Sequence, residues 1–457
     1  MEYVQALDYM FRHADLERSP ATAVRYRDFN LPRVEALLTL VGSPHLALPT
    51  VHIAGTKGKG STSAMVASIL EAANLTPGLF TSPHLHTVRE RMTVRGRGQI
   101  AEAEFAAAVE ILRPAAEEVN RDGRFGYVTT FELLTATGFL HFKQAGARSS
   151  VIEVGMGGRL DATNVVQPLV CGITDISFDH TEILGDTLSA IAGEKAGIIK
   201  PGVPVVSAAQ RREPLETISR IAAERHAPLT IVGKDVTFEL GAWSVQGQRF
   251  TVATSHEQYE VKTPLLGDHQ AENASVAIAI AEQLSDSGLR LTKRHILQGL
   301  ATVSWPGRLE VLSKEPLIVA DGAHNPHSMG RLAEAIRKYF PNKLVVLVLG
   351  LTKAKDTSAI IAELAGLPAI AIATRSRHPR AAETQSVNAG LSAAGIRSET
   401  AADTASAIAR AKGIAGSGDL ILVSGSLFVV AEARETVLHI SAEPHSWTAP
   451  GAAVLDR

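Results

Sequence analysis

Short apolar runs alternate with stretches of helical spacing along almost the whole chain. Val51–Ala54, Val151–Val154, Val170–Asp175 and Val203–Ser207 are apolar at successive positions, the pattern of strands buried on both faces. Between them, apolar residues recur every three or four positions at about 61–74, 102–120, 131–145, 187–199 and 269–285. This alternation predicts an α/β fold of doubly wound, mainly parallel sheets with helices on both sides. From Val236 to Pro264 the period changes, and Phe250-Thr-Val-Ala-Thr and Tyr259-Glu-Val-Lys read as an antiparallel patch flanking the first sheet. A Pro-Gly pair in Val303-Ser-Trp-Pro-Gly-Arg308 then interrupts the helical pattern. A fresh cycle of strands follows at Leu317–Ala320, Leu344–Leu349, Ala369–Ala373 and Leu420–Val423. The expected division is therefore a first domain over 1–302, a second over 308–440, and a loose tail over 441–457 that holds Pro444, Pro450 and Gly451.

The length of 457 residues, 45% of them hydrophobic, agrees with two domains rather than one. A formal net charge of -2 leaves no global field to attract nucleic acid or an anionic membrane, so any anion must be bound locally. Cys171 lies alone inside Leu169-Val-Cys-Gly-Ile-Thr174 and is expected to be a small buried hydrophobe. The start, Met1-Glu-Tyr-Val-Gln-Ala-Leu-Asp8, is acidic and amphipathic, unlike a secretion signal. The run Leu344–Gly350 is far short of the ~20 residues that span a membrane. A soluble cytoplasmic protein is expected, with neither nucleic-acid nor membrane partners.

The candidate chemistry begins at Val51-His-Ile-Ala-Gly-Thr-Lys-Gly-Lys-Gly-Ser-Thr62, where an apolar strand runs into a glycine-rich turn and then a helix. Gly55, Gly58 and Gly60 let successive backbone N–H groups converge on one anion, Lys59 adds a point charge, and the helix start at Ser61-Thr62 adds hydroxyls and a positive dipole end. Because Gly60 follows Lys59 where the strict P-loop pattern has Ser or Thr, this is a relative of that loop. Ser82 in Thr81-Ser-Pro-His-Leu85, Glu153 at the end of Val151-Ile-Glu-Val-Gly155, and Asp179-His180 after the strand ending at Asp175 all fall at strand ends, where such sheets place their sites. A hydroxyl, a carboxylate and an imidazole beside a phosphate cradle suit a Mg²⁺ that keeps waters and takes phosphate oxygens. Lys195, in Gly193-Glu-Lys-Ala-Gly-Ile-Ile-Lys200, reads by itself as an ordinary solvated helix lysine paired with a carboxylate. Asp321-Gly-Ala-His-Asn-Pro326 ends a strand and starts a helix, so Asp321 and His324 are placed to face the first domain.

These segments together resemble the folylpolyglutamate synthase and dihydrofolate synthase branch of the Mur ligase family. Gly55-Thr-Lys-Gly-Lys-Gly-Ser61, Thr81-Ser-Pro-His-Leu85, Glu90-Arg91, Glu153-Val-Gly-Met-Gly-Gly-Arg-Leu-Asp-Ala-Thr-Asn164, Gly193-Glu-Lys-Ala-Gly-Ile-Ile-Lys-Pro201, His269-Gln-Ala-Glu-Asn273, Pro306-Gly-Arg308, Asp321-Gly-Ala-His-Asn-Pro326 and Gly425-Ser-Leu-Phe428 occur in the family's order. The resemblance implies the Mur ligase central and C-terminal domain architecture, the first a P-loop-type ATPase domain and the second a Rossmann-like glutamate-ligase domain. It implies an ATP-dependent amide ligase that adds L-glutamate to dihydropteroate, to tetrahydrofolate polyglutamates, or to both, through an acyl phosphate, releasing ADP and phosphate. By position it implies ATP contacts at Gly58, Lys59, Gly60, Ser61, Asn273, Arg308 and Asp321, and catalytic roles for Lys59, Lys195 and His324, Lys195 being the family's carbamylated lysine. Ser82 and Glu153 would hold one Mg²⁺ and His180 a second, with K⁺ as a further cofactor. Pteroate or folate would touch Asp28, Phe29, Asn30, Thr129, Thr130, Phe131, Glu132, Leu160, Asp161 and Ala162. A monomer is expected. Lys57 departs from the Asn of many bacterial members, which bears on substrate range rather than reaction class.

Two rivals fit less of the chain. Muropeptide ligases of the same fold usually carry Gly-Lys-Thr-Thr in the loop and a separate domain ahead of it, whereas this loop begins at residue 55. A module using ATP only as a binding switch leaves Glu153, His180 and Asp321 without a joint purpose.

Overall fold

The computed structural model describes residues 1–15, 29–353, 356–367 and 369–443. The first apolar runs form an eight-stranded sheet of β1 (Thr50–Ala54), β2 (Pro77–Phe80), β3 (Met92–Val94), β4 (Gly98–Gln99), β5 (Ser149–Glu153), β6 (Val170–Ile173), β7 (Val205–Ser207) and β8 (Leu229–Ile231). They lie in the order β4-β3-β2-β5-β1-β6-β7-β8, parallel except for the β2–β3 and β3–β4 pairs. Successive side chains go to opposite faces, which is why the runs are continuously apolar. Val51 and Ile53 pack with Val151, Val170 and Val206 under the helices Lys59–Ala72 and Asp268–Asp286. On the other face, Ala54, Cys171 and Val205 meet the helices Leu188–Ala196 and Arg212–Glu224, while Phe80 and Ile152 meet Glu102–Asp122 and Thr130–Gln144.

β9 (Thr237–Ser244), β10 (Gly247–Ala253) and β11 (Gln258–Thr263) form the expected antiparallel patch. Its inward residues Phe250, Val252, Tyr259 and Val261 join the core beneath the first sheet. The second cycle builds a six-stranded sheet of β12 (Glu310–Lys314), β13 (Leu317–Ala320), β14 (Val345–Leu349), β15 (Ala369–Ala373), β16 (Ser398–Thr400) and β17 (Leu420–Ser424), in the order β12-β13-β17-β14-β15-β16. Val345, Leu347 and Leu349 face one core and Val346 and Val348 the other.

The expectations shift mostly at element ends. The helix predicted from 61 begins at Lys59, the strand expected to reach Asp175 stops at Ile173, and Val203 and Leu344 precede their strands. β3, β4, β8, β12 and β16 were not anticipated; four of them, β4, β8, β12 and β16, are sheet edges and β3 lies next to one, positions where a continuous apolar run is not required. Cys171 is buried as expected, and burial pushes its thiol up to about 12. The segment expected to be a loose tail starts docked: the Glu443 carboxylate bonds the Tyr3 hydroxyl and accepts from the Val88 N–H at 3.2 Å, while residues 444–457 lie outside the described residues. Among the described residues, no helix is long and apolar enough to cross a membrane.

Candidate active site

β1 has β5 on one side and β6 on the other, so the turns leaving all three strands converge at a point where the chain order reverses. Open α/β sheets form their crevices at such points. The glycine-rich turn after β1 is held there by the Asp175 carbonyl, which accepts from the N–H groups of Thr56 at 2.8 Å and Lys57 at 3.2 Å. Gly58 has φ +88° and a Cβ there would lie 2.3 Å from Asn273 Oδ1; a Cβ on Gly60 would lie 2.6 Å from the Trp305 ring. Side chains at either position would therefore push the helix Asp268–Asp286 or Trp305 away from the loop. Gln270 ties these parts together, donating to Ser61 Oγ at 3.3 Å and accepting from Asn273 Nδ2 at 3.0 Å. Neither Gln270 nor Trp305 was singled out from sequence, since an amide and an indole carry no motif of their own.

Glu153 ends β5 with its carboxylate buried, one oxygen accepting from the Ser82 N–H at 3.0 Å. Burial raises its pKa, and the nearby Lys59 charge opposes that rise. A buried carboxylate on a cavity wall is costly unless donors and positive charge face it, and here the Ser82 N–H and Lys59 do. Among the described residues no three His, Cys, Asp or Glu side chains are grouped to hold a metal. The donor set of Glu153 and the Ser82 hydroxyl accordingly fits a hard ion that completes its shell with phosphate oxygens and water. His180 stands apart on the exposed rim, in a left-handed conformation with φ 53° at the start of the short helix Thr181–Leu184.

Lys195 is not the solvated helix lysine that its surroundings in sequence allow. It lies buried behind the phosphate loop, its ammonium donating to the Gly55 carbonyl at 2.8 Å, and burial together with the Lys59 charge lowers its pKa to about 7. Much of it is thus the neutral amine near pH 7, the form that reacts with CO₂.

The second sheet brings its strand ends over this loop. Asp321, just past β13, accepts from the N–H groups of Leu309 at 2.8 Å and Ala323 at 2.9 Å; burial raises its pKa and the Arg308 guanidinium opposes the rise. His324 reaches across, its Nε2 3.2 Å from Lys57 Nζ, which also donates to Asp179 Oδ2 at 2.9 Å. Asn325 caps the helix Pro326–Tyr339, and His327 Nε2 lies 3.4 Å from Asp175 Oδ2.

The residues expected on the pteroate side divide into two groups. Phe29, Phe131, Leu160 and Ala162 line one cavity, with Phe11 and Leu134. Thr129, Glu132 and Asp161 line the same cavity while also bonding other groups of the protein. Glu132 binds Arg33 through both oxygens, with Nη2 at 2.7 Å from Oε1 and Nε at 2.9 Å from Oε2, and accepts from the Thr129 N–H at 2.8 Å. Thr130 Oγ1 donates to the Met10 and His13 carbonyls and Asn30 caps the helix Leu31–Leu40; neither lines the cavity. Asp161 accepts from the Met156 N–H at 2.8 Å and the Thr163 hydroxyl at 2.5 Å. Asp28 lies outside the described residues. Sequence alone does not separate these groups, because a capping carboxylate and a ligand-binding one look alike until their partners are known.

All of this surrounds a cavity of about 1070 Å³ between the two sheets, lined by Gly58, Lys59, Gly60, Ser61, Ser82, Glu153, His180, Asn273, Arg308, Asp321 and His324. A glycine-rich strand-to-helix turn, a buried carboxylate and a second sheet over both are the architecture of an ATP-dependent ligase, as the following likenesses show. The Mur ligase middle domain matches residues 53–281, and the Mur ligase glutamate ligase domain matches 307–427. The chain is 36% identical over 411 residues to the dihydrofolate synthase/folylpolyglutamate synthase of Bacillus subtilis (strain 168), covering 89% of this chain and 94% of that protein. It superposes on Mycobacterium tuberculosis folylpolyglutamate synthase complexed with ADP with a TM-score of 0.86 at 29% identity, covering 97% and 100% of the two chains. A folylpolyglutamate synthase complex with AMPPCP and folate gives a TM-score of 0.81 at 30% identity, over 96% and 100%. The chain belongs to the Mur ligase family, in its folylpolyglutamate synthase/dihydrofolate synthase branch.

Proposed function

We propose that this protein is an ATP-dependent, ADP-forming ligase that joins L-glutamate to the carboxylate of a folate. The observation that carries the reading is the single chamber in which the phosphate loop, Glu153 and the Asp321–His324 turn meet the aromatic side chains Phe11, Phe29 and Phe131. A carboxylate at neutral pH is a poor electrophile, so the acceptor must first be activated. The terminal phosphoryl group of ATP passes to the folate carboxylate, the glutamate amine attacks the acyl carbon, and phosphate leaves as the amide forms. Gly58, Lys59, Gly60 and Ser61 cradle the phosphates through the helix start, and Lys59 offsets charge as the phosphoryl group moves. Asn273, Arg308 and Asp321 complete the nucleotide site across the domain boundary. Ser82 and Glu153 would hold a Mg²⁺ and His180 a second ion, which would supply positive charge to offset that of the phosphates. Phe29, Phe131, Leu160 and Ala162 hold the pteroate rings, while the Arg33–Glu132 pair and the Asp161 cap fix the walls behind them. Lys195 is carbamylated: burial makes the reactive neutral amine accessible near pH 7, and the Lys59 charge that opposes an ammonium favours the resulting anion. His324 stands where the amine enters. The protein works as a soluble cytoplasmic monomer, with K⁺ as an additional cofactor.

The test offers dihydropteroate, tetrahydrofolate and methylenetetrahydrofolate in turn with Mg-ATP and glutamate and measures ADP. ADP release that requires both glutamate and one of these acids is expected, and the acid accepted separates dihydrofolate synthase from polyglutamylation activity. Equal ADP release without glutamate would overturn the reading.

A further inference from the structure

We propose that Asn164 is a positioning residue for Lys195: its side-chain amide fixes the end of the helix that carries the lysine, and so sets how readily the amine is held as a carbamate. The inference rests on the carbamate reading of Lys195 and adds the residue that places it.

The helix Leu188–Ala196 ends one residue after Lys195, so its last carbonyls need partners from outside. The loop that leaves β5 supplies two. The Arg159 N–H donates to the Glu194 carbonyl at 2.8 Å, and Asn164 Nδ2 donates to the Gly197 carbonyl at 3.3 Å, so the two contacts flank Lys195. Loop and helix also meet backbone to backbone. A Cβ on Gly158 would lie 2.8 Å from the Glu194 carbonyl oxygen and 3.0 Å from that of Lys195, and a Cβ on Gly197 would lie 2.3 Å from Arg159 Cβ. At such separations a displacement of the loop is a displacement of the helix end.

The Asn164 amide works through its donor end. Nδ2 also donates to the Arg159 carbonyl at 3.0 Å, so one side chain joins the loop to the helix. Both partners are carbonyls, which only accept, and that fixes which end of the amide is nitrogen. Oδ1 is buried without a hydrogen-bond partner among the described residues. A buried acceptor left unpaired costs stability, so shape alone does not account for an amide here, whereas the two donated bonds do. The backbone of Asn164 is held in its turn. Its carbonyl accepts from Lys200 Nζ at 2.8 Å, and the preceding Thr163 hydroxyl lies 2.9 Å from His52 Nε2 in β1, the strand that launches the phosphate loop. At its far end Lys195 meets that same loop, Nζ donating to the Gly55 carbonyl at 2.8 Å. In carbamylation the neutral amine nitrogen attacks the carbon of CO₂, an N–C bond forms and one proton leaves to solvent. The N–H that remains keeps the Gly55 bond only while the lysine stem starts from the same place, and Asn164 sets that place.

The experiment uses the full chain in CO₂-stripped buffer at fixed pH, with saturating Mg-ATP, folate and glutamate and graded additions of carbon-13-labelled bicarbonate. Turnover and the carbamate NMR signal are read on the same samples. Asn164→Ala is expected to raise the bicarbonate concentration giving half the maximal carbamate signal about fivefold or more, the effect of losing one hydrogen bond. Turnover should follow the signal and return to within about twofold of wild type at saturating bicarbonate, with the KM values for ATP and folate moving less than about twofold. Lys200→Met releases the Asn164 carbonyl and should shift the midpoint in the same direction, which keeps the proposal testable should Asn164→Ala fold poorly. An unchanged midpoint in folded Asn164→Ala, or in Lys200→Met where the first variant does not fold, would overturn it, as would a loss of turnover that bicarbonate does not restore. With a carbamate signal present in the wild type, these results refute the positioning role alone; a wild type without that signal refutes the carbamate reading and the positioning role with it.

Discussion

Replacing Lys195 by methionine removes an ammonium from behind the phosphate loop and leaves a flexible side chain of similar length. Burial, helped by the Lys59 charge, lowers the pKa of this lysine from 10.5 to about 7. Below pH 7 the group is protonated in both folded and unfolded chains, and the shift corresponds to a penalty of about 5 kcal/mol on the charged folded form. Against this, the variant loses the 2.8 Å bond to the Gly55 carbonyl, and an unsatisfied buried acceptor costs about 1–3 kcal/mol. The variant should therefore be more stable than wild type at pH 6, by about 2–4 kcal/mol. The sign with pH follows from linkage. Because the folded pKa is the lower one, the unfolded chain binds more protons between about 7 and 10.5, so wild-type stability climbs over that window and the variant lacks this rise. Urea unfolding at pH 6 and pH 9, in buffer stripped of CO₂, measures both values, and the gap between the proteins should narrow at pH 9. Ligation should be nearly lost, since methionine supplies neither an amine nor a carbamate. Equal stability at pH 6, or turnover above half of wild type, would refute the account.

Wild-type activity at fixed dissolved CO₂ should rise as pH passes about 7, because the neutral Lys195 amine is the form that attacks CO₂, and carbon-13 NMR with labelled bicarbonate should show the carbamate. Lys59→Ala should lower kcat at least ~10²-fold at saturating ATP with the melting temperature little changed, as it removes a preorganised charge but no core packing. Glu153→Gln keeps an oxygen for the Ser82 N–H and loses the charge, so titration should show a raised Mg²⁺ requirement with the apparent folate affinity nearly unchanged; an unaltered requirement would make Glu153 purely structural. Asp321→Ala should raise the KM for ATP and also destabilise, because it strips the acceptor from two backbone N–H groups, each worth about 1–3 kcal/mol; Asp321→Asn, which retains one acceptor oxygen, should unfold less readily.

The legible parts of this protein are those whose physics is local. A run such as Val345–Leu349 reads as a strand because every side chain in it is apolar, and it can only be so when both faces are covered. The turn after β1 reads as a phosphate cradle because glycine, lysine and a helix start are adjacent in the chain. Edge strands such as β12 were not legible, since one open side removes the need for a continuous apolar run. On the side expected to hold pteroate, Phe131, Leu160 and Glu132 all line the cavity, but the partners of Glu132 and Thr130, Arg33 and the Met10 carbonyl, lie about a hundred residues away or more and are not legible in the sequence.

By itself, then, the sequence determined the alternation of strands and helices, the phosphate loop and the set of polar groups at strand ends, because each depends on neighbours a few positions apart. Only the tertiary structure decided what those groups do to one another. Lys195 becomes a lysine with a pKa near 7 because the fold buries it beside Lys59 and points it at Gly55. Lys57 becomes the partner of Asp179 and His324 because the second sheet is set over the first. Charge, burial and hydrogen-bond geometry are properties of positions in space, and residues 122 and 267 positions from Lys57 become its neighbours only once the chain has folded.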